Sequence, residues 1–335
     1  MILICFGTRP EWLKIKPIID KINGKLPYRL VCTGQHESLI DLSITRYNVE
    51  YLDIEKYGNR LDDIVISILK MGDHLFNGTD HVMVQGDTTS AFAVALGAFH
   101  RKIPVIHLEA GLRSWDINNP YPEEFNRISI SNIASIHLCP TTDNAISIQL
   151  YHKSNHGNTY VVGNTVLDNL KYIYPVLGKS VLVTLHRREN LDIIDKWFIA
   201  LDNIAQNNQH LKFIFPMHPN PAIQKHKHLL KSVRVIEPLC YSECIELMSQ
   251  CALVITDSGG LQEESSFFKK KCIVCRKTTE RQEGEYIFSK LCPEPEMLEQ
   301  IFNTTKIELV EHPCPYGDGN ASEKILEILE RLYEK

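Results

Sequence analysis

The sequence predicts an α/β chain of two doubly wound parallel-sheet domains. Three observations predict it. Short apolar runs alternate with longer amphipathic segments in both halves. The alternation weakens at Gly163 and restarts at Val181. At 335 residues the chain is too long for one comfortable core, and its 44% apolar content is enough to fill two.

In the first half, Ile2 to Phe6 reads as a buried strand, and Pro10 to Ile22 has helical spacing that Asn23-Gly24 breaks. Tyr28 to Thr33, Val82 to Gln85, Val105 to Glu109 and Ile136 to Cys139 read as further strands. Ser90 to Phe99 and Ile128 to Ala134 read as helices between them. Runs that are apolar throughout and spaced by helices indicate a parallel sheet covered on both faces, wound by right-handed crossovers. Tyr172 to Ser180 reads as the end of a connector. The second half repeats the scheme with strands at Val181 to Thr184, Leu211 to Pro216, Val233 to Ile236, Leu253 to Thr256 and Cys272 to Cys275. Helices are expected over Ile193 to Asn207, around Cys244 to Met248, just after Asp257-Ser258-Gly259-Gly260, and over Ala321 to Tyr333. The last of these carries Ile325, Ile328 and Leu329 on one face.

Composition narrows the function. A net charge of -5 disfavours nucleic-acid binding through a broad positive field. The apolar run after Met1 is five residues long, too short for a signal peptide or a membrane span. Of ten cysteines, Cys5, Cys32, Cys139, Cys251, Cys272 and Cys275 lie in or beside apolar runs and read as buried thiols in a reducing, cytoplasmic compartment. Cys272 and Cys275 have CxxC spacing, but without a second pair or acidic and histidine neighbours no metal site is expected. GxGxxG and GxxxxGK[ST] are both missing, which argues against a nicotinamide cofactor or a P-loop nucleotide.

Polar motifs recur where strands end, which is where open α/β sheets bind ligands, in a cleft expected between the two domains. Asp257-Ser258-Gly259-Gly260 is the favoured anion site. Two glycines admit close backbone approach, a helix start offers N–H groups, Ser258 adds a hydroxyl, and Glu263 or Glu264 accepts from ribose. An ordinary glycine-rich cap is the alternative. Gly7-Thr8-Arg9-Pro10-Glu11 makes the same kind of junction, with Arg9 reaching a ligand and Lys14 one turn on facing either phosphate or solvent. Arg281, just past a strand, is a candidate diphosphate clamp.

The acid–base candidates are Asp87, Glu109, Glu123 with Glu124, and His186. Clustered carboxylates raise one another's pKa, and a histidine beside Arg187 and Arg188 stabilises a leaving diphosphate or relays a proton. Each has a structural alternative. Asp87 caps the next helix through Thr88 and Thr89, Glu109 pairs with Arg113, one of Glu123 and Glu124 is a cap held by Arg127, and His186 is a satisfied buried histidine. His218 either binds substrate or orders its turn, and His36 and His107 are weaker candidates.

Ten stretches in order over nearly the whole chain resemble the non-hydrolysing UDP-N-acetylglucosamine 2-epimerases. They are GTRPEWLKIKP from Gly7, TGQH from Thr33, QGDTTS from Gln85, HLEAGLR from His107, PYPEEFNR from Pro120, GNTVLD from Gly163, Thr184 to Asn190, TDSGGLQEE from Thr256, TTERQE from Thr278 and PYGDG from Pro315. The resemblance implies a glycosyltransferase-B-like architecture. Residues 1–170 would form a catalytic-carboxylate domain, 171–320 a UDP-binding domain, and 321–335 a final helix returning to the first. It implies a homodimer that uses no cofactor and no metal, and inversion at C2 by loss and return of UDP through 2-acetamidoglucal. Asp87, Glu109, Glu123 and His186 match catalytic positions. Arg9, Lys14, Ser258, Gly259, Gly260, Glu264 and Arg281 match nucleotide positions, and Arg113 and His218 are further substrate candidates. The chain departs from the family pattern at Trp12, Glu37-Ser38, Tyr57 to Leu61, Cys244 and Gln282, which leaves a UDP-linked 6-deoxy-L-sugar open as substrate. A hydrolysing relative is the remaining alternative.

Overall fold

A computed structural model describes residues 1–35, 45–151 and 157–334, which divide into two compact units. His36 and Glu37-Ser38 lie outside the described residues. Unit 1 comprises Met1–Asn169 with Gly319–Lys335, and unit 2 comprises Leu170–Asp318.

Unit 1 is built on seven parallel strands: β1 (Ile2–Phe6), β2 (Tyr28–Cys32), β3 (Val49–Tyr51), β4 (His81–Gln85), β5 (Val105–Leu108), β6 (Ile136–Cys139) and β7 (Asn158–Val161). Their order is β3-β2-β1-β4-β5-β6-β7, so the winding reverses between β1 and β4. Its helices are α1 (Arg9–Ile22), α2 (Arg60–Lys70), α3 (Asp73–Phe76), α4 (Thr89–His100), α5 (Glu123–Ile133) and α6 (Thr142–Tyr151). β1 is buried along its whole length, because Ile2, Ile4 and Phe6 face one apolar cluster and Leu3 and Cys5 the other. Trp12 is fully buried against Phe6, 5.3 Å between ring centroids, so its bulk fills the core and not the ligand side of the Arg9 turn.

Unit 2 repeats the plan with β8 (Ser180–Thr184), β9 (Lys212–Pro216), β10 (Arg234–Ile236), β11 (Leu253–Thr256), β12 (Cys272–Val274) and β13 (Ser289–Leu291). All pair in parallel in the order β10-β9-β8-β11-β12-β13, with the reversal between β8 and β11. Its helices are α7 (Arg188–Leu191), α8 (Ile194–Asn207), α9 (Pro221–Gln224), α10 (Tyr241–Gln250), α11 (Gly259–Phe267) and α12 (Leu298–Asn303). Trp197, Phe198, Phe213 and Phe215 dominate its core. The last helix, α13 (Ala321–Tyr333), belongs to unit 1. Ile325, Leu326 and Leu329 enter the cluster containing Trp12 and Ile15, and the Asp168 carboxylate accepts from Ala321 N at 3.0 Å and Ser322 N at 2.7 Å.

The chain is thus the doubly wound α/β protein that the sequence predicts. Most element boundaries shift by a residue, and one helix start moves further. The helix expected from Ile128 begins at Glu123, since Glu123 and Glu124 are well suited to a first turn. The second strand ends at Cys32, one residue short. All ten cysteines are free thiols, and burial pushes Cys272 up to about 12 and Cys275 well above its ordinary value. No helix among the described residues is long and apolar enough to cross a membrane.

Candidate active site

The sequence-predicted residues of unit 1 gather at the carboxyl ends of β1, β4 and β5. Glu109 follows β5 with φ +63°, a left-handed conformation that costs a non-glycine residue about 1–3 kcal/mol. Its carboxylate is almost buried and meets Lys14 Nζ at 2.6 Å through both oxygens. Gln85 and Asn164 amides donate to it as well, the latter at 3.1 Å. Lys14 therefore neither faces solvent nor stands free for phosphate: it is the cation that holds Glu109. Arg113 is buried and donates to Leu112 O at 2.7 Å and Ser131 Oγ at 2.9 Å.

Asp87 lies beyond β4. A Cβ built on the preceding Gly86 would stand 3.4 Å from Glu109 Oε2, so the two carboxylate segments adjoin. Asp87 is not the cap of α4. That role falls to Thr88, whose hydroxyl accepts from Ala91 N at 3.1 Å, while Asp87 pairs with Arg127 on α5. Arg127 also lies 3.1 Å from Glu124. Glu124 is fully buried and accepts from Ser114 N at 3.0 Å and Trp115 N at 3.2 Å, which makes it the structural member of its pair. Glu123, partly exposed at the first position of α5, remains the chemical candidate. Two cis prolyl bonds, Asn119–Pro120 and Tyr121–Pro122, lead into that helix. His107 is fully buried with Nε2 2.8 Å from Gly86 O, and burial takes its pKa down to about 4, so it is a neutral structural group.

In unit 2 the candidates follow β8, β9, β11 and β12. His186 is no buried histidine, since its side chain is 41% exposed. It stacks on His218 with ring centroids 5.8 Å apart and 21° between planes. His218 Nδ1 accepts from Asn220 N at 3.1 Å, so this ring orders its turn, and burial followed by the charge of His186 lowers its pKa. Ser258 is the N-cap residue of α11, yet its side chain makes no cap hydrogen bond. Gly259 is pressed against the Arg281 guanidinium, where a Cβ would come within 2.9 Å, and Gly260 faces open space. Arg281 is buried in ion pairs with Glu263, at 2.8 Å, and with Glu280. Its charge is compensated before any ligand arrives, which makes it a weaker phosphate clamp than its place after a strand suggests. Glu264 accepts from Tyr241 OH at 2.8 Å. Arg9 is partly exposed at the first residue of α1.

The UDP-N-acetylglucosamine 2-epimerase family model matches residues 20–330. The chain belongs to this family. It is similar to the UDP-N-acetylglucosamine 2-epimerase of Campylobacter jejuni, 36% identical with 98% of this chain and 97% of that protein covered. The Salmonella borreze enzyme of the same name is 34% identical, with 99% and 98% covered. Among solved structures, the UDP-GlcNAc 2-epimerase of Neisseria meningitidis bound to UDP-GlcNAc matches with a TM-score of 0.89 and 32% identity, covering 98% of this chain and 99% of that one. The Methanocaldococcus jannaschii UDP-GlcNAc 2-epimerase in complex with UDP-GlcNAc and UDP matches at 0.81 and 29%, with the same coverage.

Within this epimerase-family chain, the sequence reading assigned no role of their own to four polar residues. Gln85 and Asn164 hold Glu109. Glu11, 2% exposed, accepts from Gly7 N at 2.9 Å, Thr8 Oγ1 at 2.8 Å and Thr88 Oγ1 at 2.8 Å, tying β1's turn to the start of α4. Burial raises its pKa against the opposing hydrogen bonds from Gly7, Thr88 and Thr8. The T-x-x-E spacing of Thr8 and Glu11 is a capping-box signature that points to it. The fourth is Asp257, buried beneath His186.

Proposed function

We propose that this chain is a non-hydrolysing epimerase that interconverts UDP-N-acetylglucosamine and UDP-N-acetylmannosamine by eliminating and re-adding UDP. What supports this reading most is that Asp87 and Glu109 follow the neighbouring strands β4 and β5 in a chain of this family. A sugar's C2 proton is weakly acidic, so its removal has to be coupled to departure of the C1 substituent. A carboxylate takes the C2 proton, the C–H electron pair forms the C1–C2 double bond, and the C1–O pair leaves with UDP. The product is 2-acetamidoglucal. Return of a UDP oxygen to C1, with proton delivery to the opposite face of C2, gives the epimer.

In this reading Asp87, Glu109 and Glu123 serve the two proton transfers, and Lys14 orients Glu109. His186 steadies the departing diphosphate. Arg9, Ser258, Gly259, Gly260 and Glu264 bind the nucleotide, the glycines through backbone N–H groups at the start of α11. Arg113, His218 and Arg281 shape this environment from their internal bonds. Holding glucal and UDP in place against water prevents loss of the intermediate. Cytoplasmic residence and homodimerisation belong to the same reading, and sedimentation in solution tests the latter.

Incubation with UDP-N-acetylglucosamine in deuterated water should give both epimers, deuterium at C2 and no net free UDP. Asp87→Asn should slow this about 10²–10⁴-fold with folding retained. Turnover of a UDP-linked 6-deoxy-L-sugar alone would replace the substrate. Stoichiometric release of UDP and free N-acetylmannosamine would make the chain a hydrolase.

A further inference from the structure

The carboxylate of Asp257 is fully buried at the point in unit 2 where the winding reverses. Its hydrogen bonds are lopsided. Oδ2 accepts three, from His186 N at 2.9 Å, Arg187 N at 2.8 Å and Asn190 Nδ2 at 3.1 Å. Oδ1 accepts none among the described residues, and lies 3.6 Å from His186 Nδ1. A buried carboxylate oxygen without a donor is costly, so its persistence asks for a reason. Oδ2 and its three donors account for the loop. A carbonyl oxygen would serve there equally well, so the loop alone does not require an acid.

Resting on the epimerase reading above, we propose that Asp257 is a positioning residue for His186. It holds the imidazole with Nδ1–H toward Oδ1 and leaves Nε2 to the departing phosphate oxygen. At 3.6 Å the contact is longer than a hydrogen bond, and catalytic contacts of this kind are often long before substrate binds. The second anchor lies in the same network. Asn190 Nδ2 also donates to Cys275 O at 3.0 Å, and its Oδ1 accepts from buried Trp197 Nε1 at 3.2 Å, so the loop bearing His186 is fixed to the core. Asp257 lies against one side of the ring and His218 stacks beside it. When UDP leaves C1, the ring in its doubly protonated form donates Nε2–H to the phosphate oxygen that gains the electron pair, while Nδ1–H stays on Asp257.

Asp257→Asn is a sharp probe. Its carbonyl oxygen can keep the three donors on one side, while its NH2 group faces Nδ1 and forces that nitrogen to accept. The expected result is a fall in kcat of about 10–100-fold, with KM and UDP affinity within about threefold. In the double variant with His186→Asn, turnover should be within about twofold of His186→Asn alone. Losses that multiply would overturn the proposal. If Asp257→Asn fails to fold, ¹⁵N-histidine spectra of the unsubstituted protein decide: neutral His186 in the Nδ1–H form supports it, and the Nε2–H form overturns it. An unsubstituted protein that turns over no UDP-sugar would defeat the epimerase reading while leaving this tautomer measurement meaningful.

Discussion

The turn from β1 into α1 and the turn from β11 into α11 stand at the winding reversals of their own sheets, yet they treat a helix N-terminus in opposite ways. At α1 the chain supplies its own acceptor. Glu11 folds back to take Gly7 N–H and two threonine hydroxyls, and Thr8 caps the first turn. At α11 the cap residue Ser258 makes no such bond, and two glycines open the helix. A helix start carries roughly half a positive charge and several unsatisfied N–H groups. The first site has consumed that capacity internally. The second makes no such side-chain bond, and under the proposed function its N–H groups are the ones that meet the diphosphate.

The largest expected effect breaks the structural junction. Glu11→Ala removes three buried hydrogen bonds and should destabilise unit 1 by about 3 kcal/mol or more. Glu11→Gln is more informative. Its amide keeps an oxygen for Gly7 and Thr8 and can donate to Thr88, so the geometry survives and the charge goes. Because the folded-state pKa of Glu11 lies above its unfolded value, the folded state binds the proton more tightly. This contribution to stability is present below the unfolded pKa and is lost as pH rises toward and through the folded one. The reverse holds for a salt-bridged carboxylate. Glu11→Gln should therefore gain on the unsubstituted protein as pH rises from about 4 upward. Thermal unfolding across that range checks it, and a gap that widens against Gln with rising pH would contradict the burial argument.

A smaller effect sharpens the binding junction. A Cβ on Gly260 meets nothing within 4 Å, whereas one on Gly259 would strike Arg281 Nη1 and come 3.2 Å from Glu280 Oε1. Gly260→Ala should thus stabilise the protein by about 0.4–1 kcal/mol through the unfolded chain. The same methyl group should weaken UDP binding about tenfold, or about 1.4 kcal/mol, if phosphate approaches that backbone. Calorimetric titration with UDP beside thermal unfolding separates the two. A variant that is both more stable and binds UDP unchanged would remove Gly260 from the proposed nucleotide site.

The sheets were legible because their strands announce themselves. Ile2 to Phe6 and Leu253 to Ile255 are apolar throughout, and burial on both faces leaves no other reading. β3, β7 and β13 escaped because short edge strands carry too little pattern, and Val49–Tyr51 is mostly exposed. The chemistry was legible as residue types at strand ends and not as pairings. Nothing in the spacing of Lys14 and Glu109, or of Asp87 and Arg127, announces that the strand order brings each acid to its cation. Arg281 looked available for the same reason: its partners Glu263 and Glu280 become neighbours only when α11 and the loop after β12 pack together.

The smallest effects provide the most direct comparison, because they change one hydroxyl at each junction. Thr8 is buried and its hydroxyl works twice, accepting from Glu11 N at 3.5 Å and donating to Glu11 Oε2 at 2.8 Å. Thr8→Ala should cost about 1 kcal/mol of stability and little in UDP affinity. Ser258→Ala loses no cap bond, so its stability should stay within about 0.5 kcal/mol while UDP affinity falls severalfold. Urea midpoints and UDP titrations on the two variants give four numbers, and the division of labour requires the large ones to fall on opposite sides. If Ser258→Ala proved as destabilising as Thr8→Ala and left UDP affinity alone, α11 would be capped from within like α1, and the nucleotide phosphates would need another cradle.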